Sequence, residues 1–306
     1  MGILVVGSVA FDSVETPFGK VDKVLGGSAT YFSTSASFFT DVSLVAVVGD
    51  DFPREHTEFL MSRNIDLRGL SRNRGETFSW TGRYGYDLND AQTLETRLNV
   101  FETFKPSIPP EYEEAEYLFL ANIDPDLQME VLRQVRKPRI IASDTMNFWI
   151  SSKTEALKKV IAMVDILIIN DAEARQLSQE PNLVKSARKI LSLGVKTLII
   201  KRGEYGVLMF TNSTIFAAPA YPLEKVFDPT GAGDTFAGGF MGYLANTGNL
   251  SEAGIRQAII IGSVMASFTV EDFSLERLKV LTYPEIEDRY RSFKSMTHFE
   301  GLPGEE

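Results

Sequence analysis

The chain has no cysteine among its 306 residues, and it has few histidines. Without cysteine there is no disulfide, no thiolate metal site and no cysteine nucleophile. His56 and His298 lie far apart and neither sits in an H-E-x-x-H pattern, which excludes a three-histidine zinc site. Positive charge is also scarce: 31 Lys plus Arg stand against 41 Asp plus Glu, a formal net charge of −10. That balance argues against non-specific nucleic-acid binding, which depends on basic side chains meeting phosphates. It leaves room for a local basic pocket around an anionic ligand. No apolar run reaches the ~18 residues of a membrane span, and Met1 to Asp12 has no basic n-region. The expectation is a cytoplasmic protein with neither a nucleic-acid nor a membrane partner. What is present is ordinary globular material, 44% hydrophobic and 24% charged. The length allows two domains, or one large α/β domain with an insertion. A chain of this size buries about three quarters of its unfolded surface and needs no staples.

Ile3-Leu4-Val5-Val6-Gly7 reads as a strand buried on both faces, with Asp12 just past its end. After a turn-like stretch, Gly26-Gly27-Ser28 opens a helix over Ala29 to Phe39, with Ser28 as its N-cap. A strand over Ser43 to Val48 and a helix over Arg54 to Arg63 follow. Between Glu76 and Phe104 the period changes to two, first over Thr77 to Tyr86 and then over Thr93 to Phe104. One polar face on each run predicts a half-exposed antiparallel hairpin outside the main sheet. Strands are then expected at Tyr117–Ile123, Arg139–Ser143, Ile166–Asn170 and Thr197–Lys201. Helices are expected at Leu127–Val135, Ser152–Val164, Ala172–Ser178 and Val184–Leu193. This alternation predicts a three-layer α/β fold, a mostly parallel sheet with helices on both faces. An edge hairpin at Val207–Phe210 and Thr214–Ala218 precedes two apolar helices, Ala232–Asn246 and Glu252–Thr269. A charged helix over Pro284 to Lys294 and a frayed end at Gly301 to Glu306 close the chain.

The sharpest chemical signal is Asp228-Pro229-Thr230-Gly231-Ala232-Gly233-Asp234, immediately before a helix. Backbone amides at Gly231, Ala232 and Gly233 can converge at a helix N-terminus and hold an anion. Asp234 beside them can take a hydroxyl proton while those amides hold a transferring phosphoryl group. A Rossmann fingerprint would follow the first strand, and no Gly-x-x-x-x-Gly-Lys-Ser/Thr occurs in the chain. Asn170-Asp171-Ala172-Glu173 ends a strand; it suits Mg²⁺ held through water, and equally a helix cap. Lys201-Arg202-Gly203-Glu204-Tyr205-Gly206 links two strands, and its glycines allow close backbone approach to phosphates.

Through the late Asp-x-Thr-Gly-Ala-Gly-Asp run and the early Gly26-Gly27 pair, the sequence resembles the ribokinase-like (PfkB) family of carbohydrate and nucleoside kinases. The order of elements matches from Ile3 to about Val270. The resemblance implies a ribokinase-like kinase domain over 1–306, carrying a small β lid built on 76–104 with 13–25. It implies ATP-dependent transfer of the γ-phosphoryl to a primary hydroxyl of a small sugar or sugar-like substrate, with an adenosine-type nucleoside as the alternative. Asp234 would be the general base and Gly231, Ala232 and Gly233 the anion hole. Asp12 would grip substrate hydroxyls, and Gly26 and Gly27 would let the substrate approach the backbone. Lys201, Gly203, Gly206 and Val226 would line the ATP site. Asn170 and Glu173 would help place Mg²⁺, and a monovalent cation (K⁺) would sit by Asp228, although the second half of its loop is not recognisable in Ala266 to Ser274.

Three departures from the family pattern stand out, the first and the last bearing on the substrate. Tyr31 stands where many members carry an Asn that bonds sugar hydroxyls. Lys201 replaces the usual Thr of the nucleotide loop. Just 13 residues, Ser13 to Leu25, separate Asp12 from Gly26, so the lid is expected to rely on the later hairpin. Trp80, Arg83, Tyr84 and Tyr86 would be its inward contacts, or the hairpin's own buried face. Asn147, in Asp144-Thr145-Met146-Asn147, is the candidate from the loop that falls where the family has Asp-Pro-Asn. The family also implies a homodimer through the β lid. A non-catalytic regulator that binds sugar or nucleotide is the remote alternative. Which sugar, polyol or nucleoside is the acceptor cannot be read from these residues.

Overall fold

The structure, a computed structural model, describes residues 2–298. It opens with β1 (Gly2–Val6), β2 (Ala10–Thr16), β3 (Gly19–Gly26), α1 (Ser28–Ala36), β4 (Asp41–Val48), α2 (Arg54–Ser62) and β5 (Ile65–Arg72). Next come β6 (Ser79–Tyr84), β7 (Ala91–Arg97), β8 (Tyr117–Leu120), α3 (Pro125–Gln134), β9 (Ile140–Ser143), α4 (Asn147–Ser152) and α5 (Thr154–Ile161). After β10 (Ile166–Asn170), α6 (Asp171–Ser178) and α7 (Leu183–Leu191), the sheet ends in β11 (Thr197–Lys201), β12 (Val207–Phe210) and β13 (Ile215–Ala218). The helices α8 (Ala232–Thr247), α9 (Glu252–Thr269), α10 (Glu276–Val280) and α11 (Tyr283–Thr297) complete it.

Nine strands form one sheet in the order β13-β12-β11-β10-β9-β8-β1-β4-β5. Every pair from β5 to β11 is parallel, and β12 and β13 add an antiparallel edge. The period-two alternation of strand side chains divides the core between the two faces. In β1, Ile3 and Val5 join a cluster with Phe32, Phe236, Phe240 and Met265 of α1, α8 and α9. Leu4 and Val6 point the other way, toward Val131, Leu157, Ala174 and Ile190 of α3, α5, α6 and α7. Parallel strands buried on both faces read as unbroken apolar runs, which is why they were legible. No helix among the described residues is long and apolar enough to cross a membrane.

A second, four-stranded sheet has the order β3-β2-β6-β7. Here three expectations need correcting. The short stretch over 13–25 is no mere turn: β2 and β3 pair antiparallel, from Ala10 with Gly26 to Thr16 with Gly19, and make half of this sheet. The tight turn at Pro17-Phe18 lets two strands fit into so few residues. The later run leaves the sheet at Arg97 instead of continuing to Phe104. It coils through one 3₁₀ turn over Asn99–Thr103, because Val100 and Phe104 turn back into the core under the main sheet. Finally, Ser28 is not the N-cap of α1. Gly27 occupies that position, and Ser28 and Ser8 exchange backbone-to-hydroxyl bonds of 3.3 and 3.0 Å. The strand β5 went unanticipated, its apolar residues being broken by Asp66, Arg68 and Gly69. The expected terminal fraying lies outside the described residues.

Helix α8 runs through the packed interior, and glycines let its neighbours approach. A Cβ at Gly238 would collide with the Phe32 carbonyl oxygen of α1, and one at Gly239 would lie 2.7 Å from Met265 Cγ of α9. Beneath them Phe32 stacks on Phe119 of β8 with ring centroids 4.2 Å apart. Two hydroxyl bonds pin the first turn: Ser35 Oγ donates to the Thr235 carbonyl at 2.8 Å, and Thr269 Oγ1 to Thr235 Oγ1 at 2.9 Å. Helix propensity alone would make Gly238→Ala stabilising by about 1 kcal/mol. The contact with α1 backbone reverses that sign, and overpacking should leave the variant about 1–3 kcal/mol less stable. Urea denaturation of the two proteins checks it; a stabilised variant would refute the packing argument.

Candidate active site

The carboxyl ends of β8 to β11 and the head of α8 face one another across the edge of the sheet, where open α/β sheets bind ligands. Gly231 is the N-cap of α8, with φ +74°, and its Cα lies against the ring of Tyr31 where a Cβ would collide. The Ala232 amide closes the turn on the Pro229 carbonyl at 3.1 Å. The amides of Gly231 and Gly233 have no hydrogen-bond partner among the described residues, so these two carry the open anion-binding capacity of the helix head. Asp234, on the first turn, is half-buried beside them.

Asp234 does not stand alone. Asp144, just past β9, is buried next to it, and its Oδ1 has no hydrogen-bond partner. Burial, and then the Asp234 charge, push Asp144 well above the usual carboxylate range. Burial raises Asp234 as well, but the Lys201 ammonium, its own backbone amide and a hydrogen bond from Asp144 oppose that rise. Burial likewise raises Glu173, against the Lys201 charge and the Asn170 amide. Lys201 ends β11 in register with Asn170 of β10, and its ammonium sits where a Cβ on Gly233 would go. The loop that carries Asp144 is held by Gln128, whose buried Nε2 donates to the carbonyls of Ala121 at 3.1 Å and Asp144 at 3.3 Å.

Asn170 and Glu173 form a full capping box, with reciprocal bonds of 2.8 and 2.7 Å. The cap and the site coexist, because Glu173 is half-buried within reach of the charges on Lys201 and Asp234. Asp228 braces the loop: its Oδ1 accepts the Thr230 amide at 2.9 Å and its Oδ2 the Ser274 amide at 3.5 Å. Phe227 donates to the Val270 carbonyl at 2.8 Å. The unrecognised segment after α9 thus does lie against Asp228.

On the other side, Asp12 projects over Gly26, where a side chain would strike its carboxylate. The space above Gly26 therefore belongs to Asp12, and Gly27, at φ +94°, clears the backbone of Ser8 and Ala10. Tyr31 is 1% exposed, and its hydroxyl is buried without a partner, near Asp12, Asp228 and Asp234. Trp80 pairs in register with Asp12 and shares its face of the small sheet; its ring lies over Gly82 and its Nε1 donates to Thr93 at 3.2 Å. Tyr84 is in step with Trp80, and its hydroxyl accepts a hydrogen bond from Thr230 Oγ1 at 3.2 Å. Arg83 is out of step and is not brought to the site; it pairs with Glu15 at 3.2 Å on the other face. Tyr86 is 90% exposed. Asn147 is exposed at the head of α4, and Asp144 is what that loop delivers instead. Alternation along β6 and the strand-end rule carried the signal for Tyr84 and Asp144.

Gly203 and Gly206 take φ of +53° and +85° in the turn after β11, and Asn89 of the small sheet closes over Gly203. Val226 is half-buried in the stretch leading to Asp228. A cleft of about 490 Å³ elsewhere, between Phe11, His56 and Lys279, gathers none of these groups.

Residues 3–278 match the pfkB family of carbohydrate kinases. The chain belongs to that family. It is 30% identical to the cytidine kinase of Thermococcus kodakarensis over 247 residues, 79% of this chain and 87% of that one. Two solved structures share the fold. One is the nucleoside kinase of Burkholderia thailandensis in complex with inosine, with a TM-score of 0.75 at 18% identity over 96% of this chain and 99% of that one. The other is a putative ribokinase II from E. coli in complex with ATP and Mg²⁺, with a TM-score of 0.76 at 18% identity and the same coverage. This PfkB member is a sugar or nucleoside kinase, a phosphotransferase that uses ATP and acts on a hydroxyl.

Burial pushes Asp12 from 3.8 up to about 7, with the Asp228 and Asp234 charges adding and the Gly27 backbone opposing. Between those values the folded chain binds more protons than the unfolded one. Stability therefore falls as pH rises through that window. Asp12→Asn should raise the melting temperature of the unligated protein at pH 8 by several degrees and have little effect near pH 4. A lowered melting temperature at both would count against a destabilising buried charge.

Proposed function

We propose that the acceptor is a ribonucleoside, phosphorylated on its 5′-hydroxyl by ATP. The observation that carries this reading is the placement of Asp12 beside Trp80 on one face of the small sheet. A carboxylate that accepts two hydrogen bonds suits the ribose diol, and an aromatic plane one strand away suits a base. The cytidine kinase relative supports the same choice over the small sugar first expected. A free furanose or polyol would use Asp12 alike and leave Trp80, already tied to Thr93, as a wall.

In this reading the small sheet is a lid that itself carries Asp12 and Gly26, with Gly27 and Tyr31 next to it in the chain. Asp234 takes the proton of the acceptor hydroxyl, and the Gly231 and Gly233 amides hold the transferring charge at the head of α8. Lys201, Gly203, Gly206 and Val226 line the nucleotide side. Asp144, Asn170 and Glu173 offer hard oxygen donors, and the unpartnered Oδ1 of Asp144 fits a cation. Among the described residues no three acidic or histidine groups converge to hold a metal by themselves. The set therefore suits Mg²⁺ ligated largely by phosphate and water. When bound, Mg²⁺ would neutralise phosphate charge. K⁺ is not assigned at Asp228, whose two oxygens already take amides. A homodimer through the lid would use the exposed edge strand β7 with Leu94.

Assay of ADP release with ATP and Mg²⁺ against panels of ribonucleosides and of free sugars tests the acceptor. Turnover of a ribonucleoside is expected; turnover of sugars alone would overturn the reading. Asp234→Asn should lower kcat about 10²–10⁴-fold with ATP binding intact, and near-normal turnover would remove Asp234 from its role. Light scattering of the purified protein tests the dimer, which a monomer mass would dismiss.

A further inference from the structure

Lys201 occupies an unusual place for a residue of the nucleotide loop. Its backbone ends β11, but its side chain crosses to the head of α8 and sets its ammonium against the Cα of Gly233. That is the amide cradle beside Asp234. Among the described residues the ammonium has no hydrogen bond or ion pair. It nevertheless lies within electrostatic reach of Asp234, Asp144 and Glu173, and it lowers the proton affinity of each. Three donors on a strongly hydrated point charge, held out of full solvent and aimed at an anion cradle, call for an anion there.

We infer that Lys201 is a catalytic residue: its ammonium contacts the phosphoryl group in flight and does more than bind ATP at rest. The inference rests on the kinase reading of this site and not on the identity of the acceptor. In the transfer, the acceptor oxygen forms a bond to the γ-phosphorus, and the bond from that phosphorus to the β,γ-bridging oxygen breaks. ADP leaves with the electron pair, and the hydroxyl proton goes to Asp234. Lys201 keeps its own protons and donates hydrogen bonds to the peripheral oxygens of the moving group, whose negative charge it balances. The family's usual Thr offers a neutral hydroxyl on a shorter side chain, so in this chain a positive charge stands where such members have none.

The discriminating measurement is the split between kcat and KM. With whichever acceptor the wild-type protein turns over best, Lys201→Met should lower kcat about 10²–10³-fold while KM for ATP changes only a few-fold. Lys201→Arg should recover part of kcat. A variant with near-normal kcat and a raised KM for ATP would overturn the inference and leave Lys201 a resting contact. A second readout needs no acceptor. Calorimetric titration with ADP, Mg²⁺ and aluminium fluoride, which mimics the phosphoryl in flight, should lose far more affinity in Lys201→Met than titration with ADP and Mg²⁺ alone. Equal losses would reject the role even if the acceptor panels fail, and a panel that turns over sugars alone defeats the nucleoside reading while this test proceeds.

Discussion

The structure depends on holding Asp12, Asp144 and Asp228 out of water, with Asp234 and Glu173 half-buried within reach of the Lys201 ammonium. Each of these carboxyls is raised by its own burial, and Lys201 opposes the rise at Asp144, Glu173 and Asp234. Buried carboxylates without full pairing are destabilising. The surrounding architecture has to supply the difference through apolar burial. It does so with α8, whose glycines let α1 and α9 close on it, and with the Phe32–Phe119 stack against the sheet. The same contacts that offset the charge cluster also fix the position of Asp234 and its neighbouring amides. Stability and chemistry are therefore coupled through one helix.

Much of this was legible because the physics is local. Parallel strands buried on both faces announce themselves as apolar runs, and β10, β11 and α9 fall where the residues predict. The Gly231–Asp234 turn is equally local, since it needs small residues and a helix start. What was hidden depends on partners distant in sequence. The β2–β3 hairpin is built from mixed residues such as Asp12, Lys20 and Lys23, and it becomes a strand pair only beside β6. Val100 and Phe104 fit a strand alternation and leave it because the core lies behind them. Asp144 and Asn147 are three residues apart, and a polar loop does not say which will face inward. Packing against Gln128 and the end of β8 decides it for Asp144.

Membership of the PfkB family accounts for the scaffold and the reaction class, and it leaves the particulars to this chain. Tyr31 brings a buried, unpartnered hydroxyl close to Asp12, and Lys201 brings a charge to the head of α8. Each departs from the family's usual residue. The two changes lie on opposite flanks of the same loop, one beneath Gly231 and the other against Gly233.

The small sheet has one more property worth following. Asp12 belongs to it, through β2, and not to the main sheet. From the same sheet Tyr84 meets Thr230 on the transfer loop, and Asn89 meets Gly203 on the turn after β11. One small body thus touches three places: the Asp12 carboxylate, the loop before α8 and the turn after β11. On the lid reading proposed above, such a body would act as a coincidence detector, settling fully only when all three were satisfied together, and selectivity would come from requiring two guests at once.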